Sequence, residues 1–304
     1  MSVIPNLFIV GAPKCGTTAL ATYLDNHPQV SISKPKEPLF FATDLNHKWR
    51  TDSKEDYKKC FVNHMNEKIV GEGTVWYLMS KNAAKEIFEY NPKSKIIIML
   101  RNPIDMMYSL HSQFLLTCNE NIASFYDALC AQEHRKRGLS LPANSHFIAG
   151  LQYYEVADYA VQIKRYLKVF PREQIKFIIF EEFIKDTDKI YKDILRYLNL
   201  NDTVSIKYEK VNVSKIVVYP AINQFINKPP TWARKLKQTI GIVGPRLDYI
   251  KKMMLKVSVK NGKRMQLSKE MRKKISEKYD LELKIRETEI LTNMDLSLWN
   301  IKQI

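Results

Sequence analysis

Cysteine and glycine are scarce in this chain, four and nine among 304 residues. The thiols Cys15, Cys60, Cys118 and Cys130 include no CxxC pair, and the six histidines form no HxxxH set beside them. No metal site is therefore expected. Four scattered thiols need no disulfide framework, which fits a reducing compartment. No run of about 18 apolar residues occurs, which argues against a membrane-spanning helix. Met1 to Asn6 show neither the basic start nor the long apolar stretch of a secretory leader, so a cytoplasmic location is the expectation. Repeats and low-complexity linkers are missing too, and one domain over residues 1–304 is the simplest account.

Positive charge, by contrast, is abundant and unevenly spread. The formal net charge is +16, and between Lys207 and Lys274 there are 18 Lys and Arg against three acids, Glu209, Asp248 and Glu270. Such a field attracts anions: a nucleic acid, an acidic lipid or an acidic polysaccharide. Charge runs on helices are as often plain solvated surface. Within this stretch Trp232, Leu236, Ile240, Val243 and Leu247 recur at near-helical spacing, interrupted by Gly241, Gly244 and Pro245. Two short helices are expected there, and residues 229–260 read as a basic insertion or flap. Two functional readings stay open for residues 229–264: a surface for an acidic glycan, or peripheral contact with an anionic membrane.

The apolar pattern predicts an α/β fold. Leu7–Val10, Val30–Ser33, Lys95–Leu100 and Ile175–Phe180 are short apolar runs that read as buried strands. Thr17–Asn26 and Pro103–Leu116 have helical spacing, the second with proline in its first turn. A helix is expected to follow the last strand through Leu198, and one long charged helical pattern runs from Leu267 to Leu291. Continuous apolar strands alternating with helices imply a central parallel sheet covered on both faces.

Gly11-Ala12-Pro13-Lys14-Cys15-Gly16-Thr17-Thr18 stands between a strand and a helix. The amides of such a turn, with the positive end of a helix behind them, form an anion cradle. The spacing approaches a Walker A loop, but Thr17 stands where that loop needs lysine, and the lysine comes earlier, at Lys14. That displacement argues against an ATPase. A second anion motif follows the strongest strand: Arg101 at its end and Ser109 eight residues along the next helix. A third candidate is the basic loop Lys260-Asn261-Gly262-Lys263-Arg264.

The PKCGTT run at Pro13–Thr18 resembles the 5′-phosphosulfate loop of the sulfotransferases that use 3′-phosphoadenosine 5′-phosphosulfate (PAPS). The resemblance implies a P-loop-type α/β fold, PAPS as donor and its desulfated product PAP, without a metal. It implies that Lys14 stabilises the leaving bridging oxygen and that Gly16, Thr17 and Thr18 hold the 5′-phosphate, with Pro13 and Cys15 as the other residues of the cofactor-binding loop. Arg101 and Ser109 match the family's 3′-phosphate pair, and Lys260, Gly262 and Lys263 its closing basic loop. Phe180–Phe183 is similar to a strand-end acidic element, Val211–Ser214 to an N-x-S stretch, and Tyr279–Trp299 to the family's C-terminal helix and tail.

Lys34-Pro35-Lys36-Glu37-Pro38-Leu39-Phe40-Phe41 presents a carboxylate between two prolines, with Lys36 as counter-charge and a Phe pair to anchor it. It resembles the glutamate segment of heparan-type and bacterial carbohydrate sulfotransferases, which implies Glu37 as the base and a glycan acceptor. Gly71–Tyr77 resembles the GEKTPxY stretch of the acceptor cleft, but Gly73 and Val75 replace its lysine and proline. Lys36 and Glu72 are therefore candidate acceptor contacts, Glu72 with an equal claim to a structural hydrogen-bonding role. His111 is a further candidate acceptor contact and an alternative base, although its place on the helix reads as a surface or capping histidine. Competing readings are a nucleotide kinase or NTPase, and a basic nucleic-acid or membrane-binding module without catalysis. The loop and the Arg101–Ser109 pair favour the transferase, with no nucleic-acid partner.

Overall fold

The computed structural model of the chain describes residues 4–143, 145–209, 215–217, 259–262 and 265–300. Most of the basic segment 229–260, the stretch Val211–Ser214, and Lys263 and Arg264 lie outside the described residues.

The central sheet has five strands: β1 (Leu7–Gly11), β2 (Val30–Ile32), β3 (Ile69–Gly73), β4 (Lys95–Leu100) and β5 (Ile175–Ile179). Their order is β2-β3-β1-β4-β5, and every neighbouring pair is parallel. β1 and β3 are buried along their whole length, as a sheet covered on both faces requires. The chain winds from β1 outward to β2, back through β3, and then crosses to β4 and β5. That reversal puts a topological switch point at β1, the place where open parallel sheets bind ligands beyond their carboxyl ends.

β3 is the strand the apolar pattern does not reveal. Its sequence, Ile-Val-Gly-Glu-Gly, has poor strand propensity. Packing explains the glycine: a Cβ at Gly71 would lie 3.1 Å from both Leu7 Cβ and Ile32 Cδ1. Only a residue without a side chain passes between those neighbours unstrained.

The chain divides into two compact units. The first comprises Met1–Met107, Tyr153–Val211 and Lys269–Ile304 and contains the whole sheet. Its helices include α1 (Thr17–Asp25), α2 (Lys54–Lys59) and α3 (Ala83–Tyr90). The second unit comprises Tyr108–Gln152 and Asn212–Ser268. Helix α4 (Pro103–Leu116) starts in the first unit and ends in the second, which also holds α5 (Phe125–Cys130) and α6 (Gln132–Lys136).

Later in the first unit come α7 (Tyr153–Ala157), α8 (Tyr159–Leu167), α9 (Phe180–Lys185) and α10 (Thr187–Tyr197). The single helix expected after β5 is two, because the Asp186 carboxylate caps α10 by accepting from Lys189 N at 3.1 Å. In α10 the buried residues are Tyr191, Ile194 and Leu195, one stripe at i, i+3 and i+4. In the second unit, β6 (Lys215–Val217) pairs antiparallel with β7 (Val259–Asn261). The long C-terminal pattern also breaks, into α11 (Lys269–Tyr279) and α12 (Leu281–Thr292), where Asp280 takes a left-handed φ of 48°. No helix among the described residues is long and apolar enough to cross a membrane.

Candidate active site

Five strand ends feed five turns on one rim of the sheet. After β1 comes the Lys14 loop, after β2 the Glu37 segment, after β3 Thr74, after β4 Arg101, and after β5 Phe180 and Glu181. Every first-unit candidate from the sequence lies on one of these turns, on the last residues of the strand before it or, for Thr17 and Thr18, on the first turn of α1.

The β1 turn is bent by two left-handed residues, Lys14 (φ 63°) and Gly16 (φ 84°). Gly16 is the cap position of α1, and no side chain among the described residues caps that helix end. The first amides of a helix have no partner within it, so those of α1 are open to an anion. A side chain at Gly16 would place its Cβ 3.1 Å from the Phe180 ring, so glycine is needed for space as well as for φ. Cys15 points inward. Its Sγ donates to Pro13 O at 3.3 Å, and full burial pushes the thiol up to about 12, so it stays neutral. Pro13 and Thr17 are buried as well, while Lys14, Gly16 and Thr18 are half-buried.

Arg101 reaches this turn from β4. Its Nη1 donates to Lys14 O at 3.1 Å, and its guanidinium lies over the Phe180 ring, 4.7 Å from the centroid. The buried Nε–H has no hydrogen-bond partner among the described residues. An unsatisfied buried N–H carries a desolvation cost that an incoming acceptor would relieve. Around Arg101 the backbone is fixed from two sides. Tyr159 OH donates to Arg101 O at 3.1 Å. Asn102 N donates to Glu181 Oε1 at 3.0 Å, and Glu181 Oε2 accepts from the Trp299 indole at 3.1 Å. Phe180, Tyr159 and Trp299 are absent from the sequence-derived site. Their signal was faint: an aromatic where the β5 run meets its helix, and a tail motif without a partner.

The remaining nucleotide candidates belong to the second unit. Ser109 is 3% exposed on α4, a buried hydroxyl rather than a surface one. Lys260 lies on β7, followed by the half-buried Gly262. His111 is corrected from a surface position: it is 1% exposed, with one ring nitrogen 2.9 Å from Ile122 O and its ring against Phe125. Burial lowers its pKa, which favours the neutral imidazole.

The β2 turn carries Glu37 in a left-handed conformation (φ 65°), with Leu39 two residues on in another (φ 60°). Lys36 Nζ donates to Glu37 Oε1 at 2.8 Å, both side chains half-buried. The stem of Lys36 crosses Gly73 at the end of β3: a Cβ there would lie 3.4 Å from Lys36 Cε. Gly73 thus leaves room for a lysine arriving from the neighbouring turn.

Glu72, one residue earlier on β3, is fully buried. It accepts from Tyr57 OH at 2.7 Å, Thr74 Oγ1 at 2.9 Å and Tyr77 OH at 3.1 Å. Burial raises its pKa to about 7 against the opposing pull of the three hydroxyls and the Lys36 charge. Of the two roles open to it in the sequence, the hydrogen-bonding one is what these contacts describe. Among the described residues no three His, Cys, Asp or Glu gather into a metal-binding group.

Comparison with known proteins agrees with this architecture. The chain is 32% identical over 109 residues to the membrane-associated sulfotransferase kil1 of Dictyostelium discoideum, which covers 35% of this chain and 22% of the relative. It is 25% identical over 250 residues to carbohydrate sulfotransferase 15 of Mus musculus, covering 65% of this chain and 44% of that protein. The chain thus spans less than half the length of these curated relatives. The crystal structure of a sulfotransferase from Alicyclobacillus acidocaldarius superposes with a TM-score of 0.72 at 26% identity, over 98% of this chain and 99% of that one. A family model described as the sulfotransferase domain matches residues 5–293, and the chain belongs to that family.

Proposed function

We propose that this protein transfers a sulfuryl group from PAPS to a hydroxyl or amine of a glycan. The observation that supports the donor best is the joined turn pair at the switch point. Lys14 and the open amides of α1 lie on one side, and Arg101, bonded to the Lys14 carbonyl with its Nε–H unsatisfied, on the other. Two anionic groups on one ligand suit two such cation-bearing turns.

In this reading the acceptor oxygen or nitrogen attacks sulfur in line with the leaving phosphate oxygen. Glu37 takes the acceptor proton as the new bond to sulfur forms. The old S–O bond breaks, and its electron pair stays on the bridging oxygen, where Lys14 stabilises the charge. Gly16, Thr17 and Thr18 hold the 5′-phosphate through backbone amides and hydroxyls, and Pro13 and Cys15 shape the loop. Arg101 is assigned to the 3′-phosphate, and Ser109, Lys260, Gly262 and Lys263 are assigned to the same phosphate by the family resemblance alone. Lys36 orients Glu37 and faces the acceptor. A glycan acceptor agrees with a relative named as a carbohydrate sulfotransferase, and a peripheral membrane role for 229–264 with one named as membrane-associated.

Calorimetry with 3′,5′-ADP and with 5′-ADP tests the donor. Binding of the first and not the second is expected, and indifference to both removes the proposal. Labelled-sulfate transfer from PAPS to acidic and neutral glycans tests the acceptor. Lys14→Ala is expected to lower turnover by about two orders of magnitude or more. Pelleting with vesicles with and without anionic lipid tests the membrane role; no pelleting with either removes it.

A further inference from the structure

We infer that Glu72 is a positioning residue for Glu37, holding the base through two tyrosine hydroxyls and two phenylalanine rings. This rests on the assignment of Glu37 as the base.

The segment that carries Glu37 is bent in a way its residues do not favour. Glu37 and Leu39 both adopt positive φ, with a proline between them, and neither is glycine. Such residues persist only where their surroundings over-determine them. Lys36 supplies one restraint through its ion pair with Glu37. The other restraints act just downstream, on Phe40 and Phe41.

Those two rings are clamped by the tyrosines that Glu72 holds. Phe40 stacks on Tyr57 at 4.5 Å and 12°. Phe41 meets Tyr57 edge-on at 5.3 Å and Tyr77 at 5.9 Å. The Phe41 amide donates to Tyr77 OH at 3.2 Å, and Tyr77 OH in turn donates to Glu72. Both tyrosines thus depend on one carboxylate for the direction of their hydroxyls. Tyr57 comes from α2, Tyr77 from the turn after β3, and Glu72 from β3 itself. Glu72 therefore ties three elements to the turn that presents the base. Burying a carboxylate is expensive, and apolar residues would fill the space at less cost. A fixed acceptor for three hydroxyls is what an apolar residue could not supply.

The test uses the full chain, with PAPS as donor and chondroitin and heparosan oligosaccharides as acceptor probes. Glu72→Gln is expected to lower kcat by about tenfold to a hundredfold, the scale of a small misplacement of a reacting group. The KM for PAPS and the affinity for 3′,5′-ADP should stay within about twofold, since neither depends on the base. In a Glu37→Gln background the same change should remove nothing further from the residual rate. Tyr77→Phe and Tyr57→Phe keep the rings and remove one hydroxyl each, and each should lower kcat in the same direction. They serve alone if Glu72→Gln does not fold.

Unchanged kcat in the folded Glu72→Gln protein overturns the inference, as does unchanged kcat in both tyrosine variants. Equal losses from Glu72→Gln with and without Glu37 overturn it too, because Glu72 would then act by another route. Normal turnover in Glu37→Gln alone removes the base on which the inference stands, and is read separately from any of these.

Discussion

The Arg101 guanidinium donates to the backbone carbonyl oxygen of Lys14, 3.1 Å away, so one hydrogen bond joins the β4 turn to the β1 turn in the proposed donor site. Phe180 lies against both turns, beneath the guanidinium and against the backbone of Gly16. Arg101→Lys keeps the charge and loses the planar fork, so affinity for 3′,5′-ADP should fall at least about tenfold. Phe180→Ala should weaken it by about threefold to thirtyfold, the range of a cation–π contact, whereas Phe180→Tyr should preserve it. Calorimetry on the three variants checks both.

In the second unit the Glu120–Arg135 pair is wholly buried and bidentate, with contacts of 2.7 and 2.6 Å. Glu120 also accepts the amides of Asn121 and Ile122, and Arg135 donates to Ser140 O. Arg135→Ala leaves that carboxylate uncompensated and should cost about 3–5 kcal/mol. Replacing both residues together, Glu120→Leu with Arg135→Met, should cost less than the single change. Urea unfolding of the variants decides this.

Glu72 makes stability depend on pH in a defined direction. Its folded-state pKa is raised to about 7 by burial, so the folded protein holds a proton that the unfolded chain has already released. The stability from this group is complete below the ordinary glutamate range and is lost as pH rises through about 7. The loss is on the order of 3 kcal/mol. Glu72→Gln removes the dependence. Unfolding free energies at pH 5.5, 6.5, 7.5 and 8.5 should show wild type losing ground to the variant up to about pH 7.5 and no further loss above it.

Thiol reactivity should follow exposure. Cys15 is buried and its thiol is pushed up to about 12, whereas Cys130 is exposed. Iodoacetamide at pH 8 should label Cys130 within minutes and leave Cys15 intact until the protein unfolds. Mass spectrometry of peptides over a time course reports the order.

The places of the candidate residues were legible because their signals are local: PKCGTT spans the turn between β1 and α1 and the start of that helix, and Arg101 directly follows the apolar strand β4. What escaped the sequence depends on distant neighbours. β3 was hidden because Gly71 answers to Leu7 and Ile32 rather than to its own propensity. The burial of His111 could not be seen either, because its partners, Ile122 and Phe125, approach from beyond its helix. Phe180 became meaningful only when Arg101 was found above it. The C-terminal helix broke at Asp280, a residue tolerant of left-handed backbone, which periodicity alone does not register.

The sheet divides its turns by side of β1, with Arg101 and Phe180 following β4 and β5, and Glu37 and Gly73 belonging to β2 and β3. On the proposed reading, that partition lets acceptor preference drift without disturbing the nucleotide grip. Swapping residues 33–53 between family members would graft a new specificity onto an inherited donor chassis, a modularity through which one scaffold can diversify.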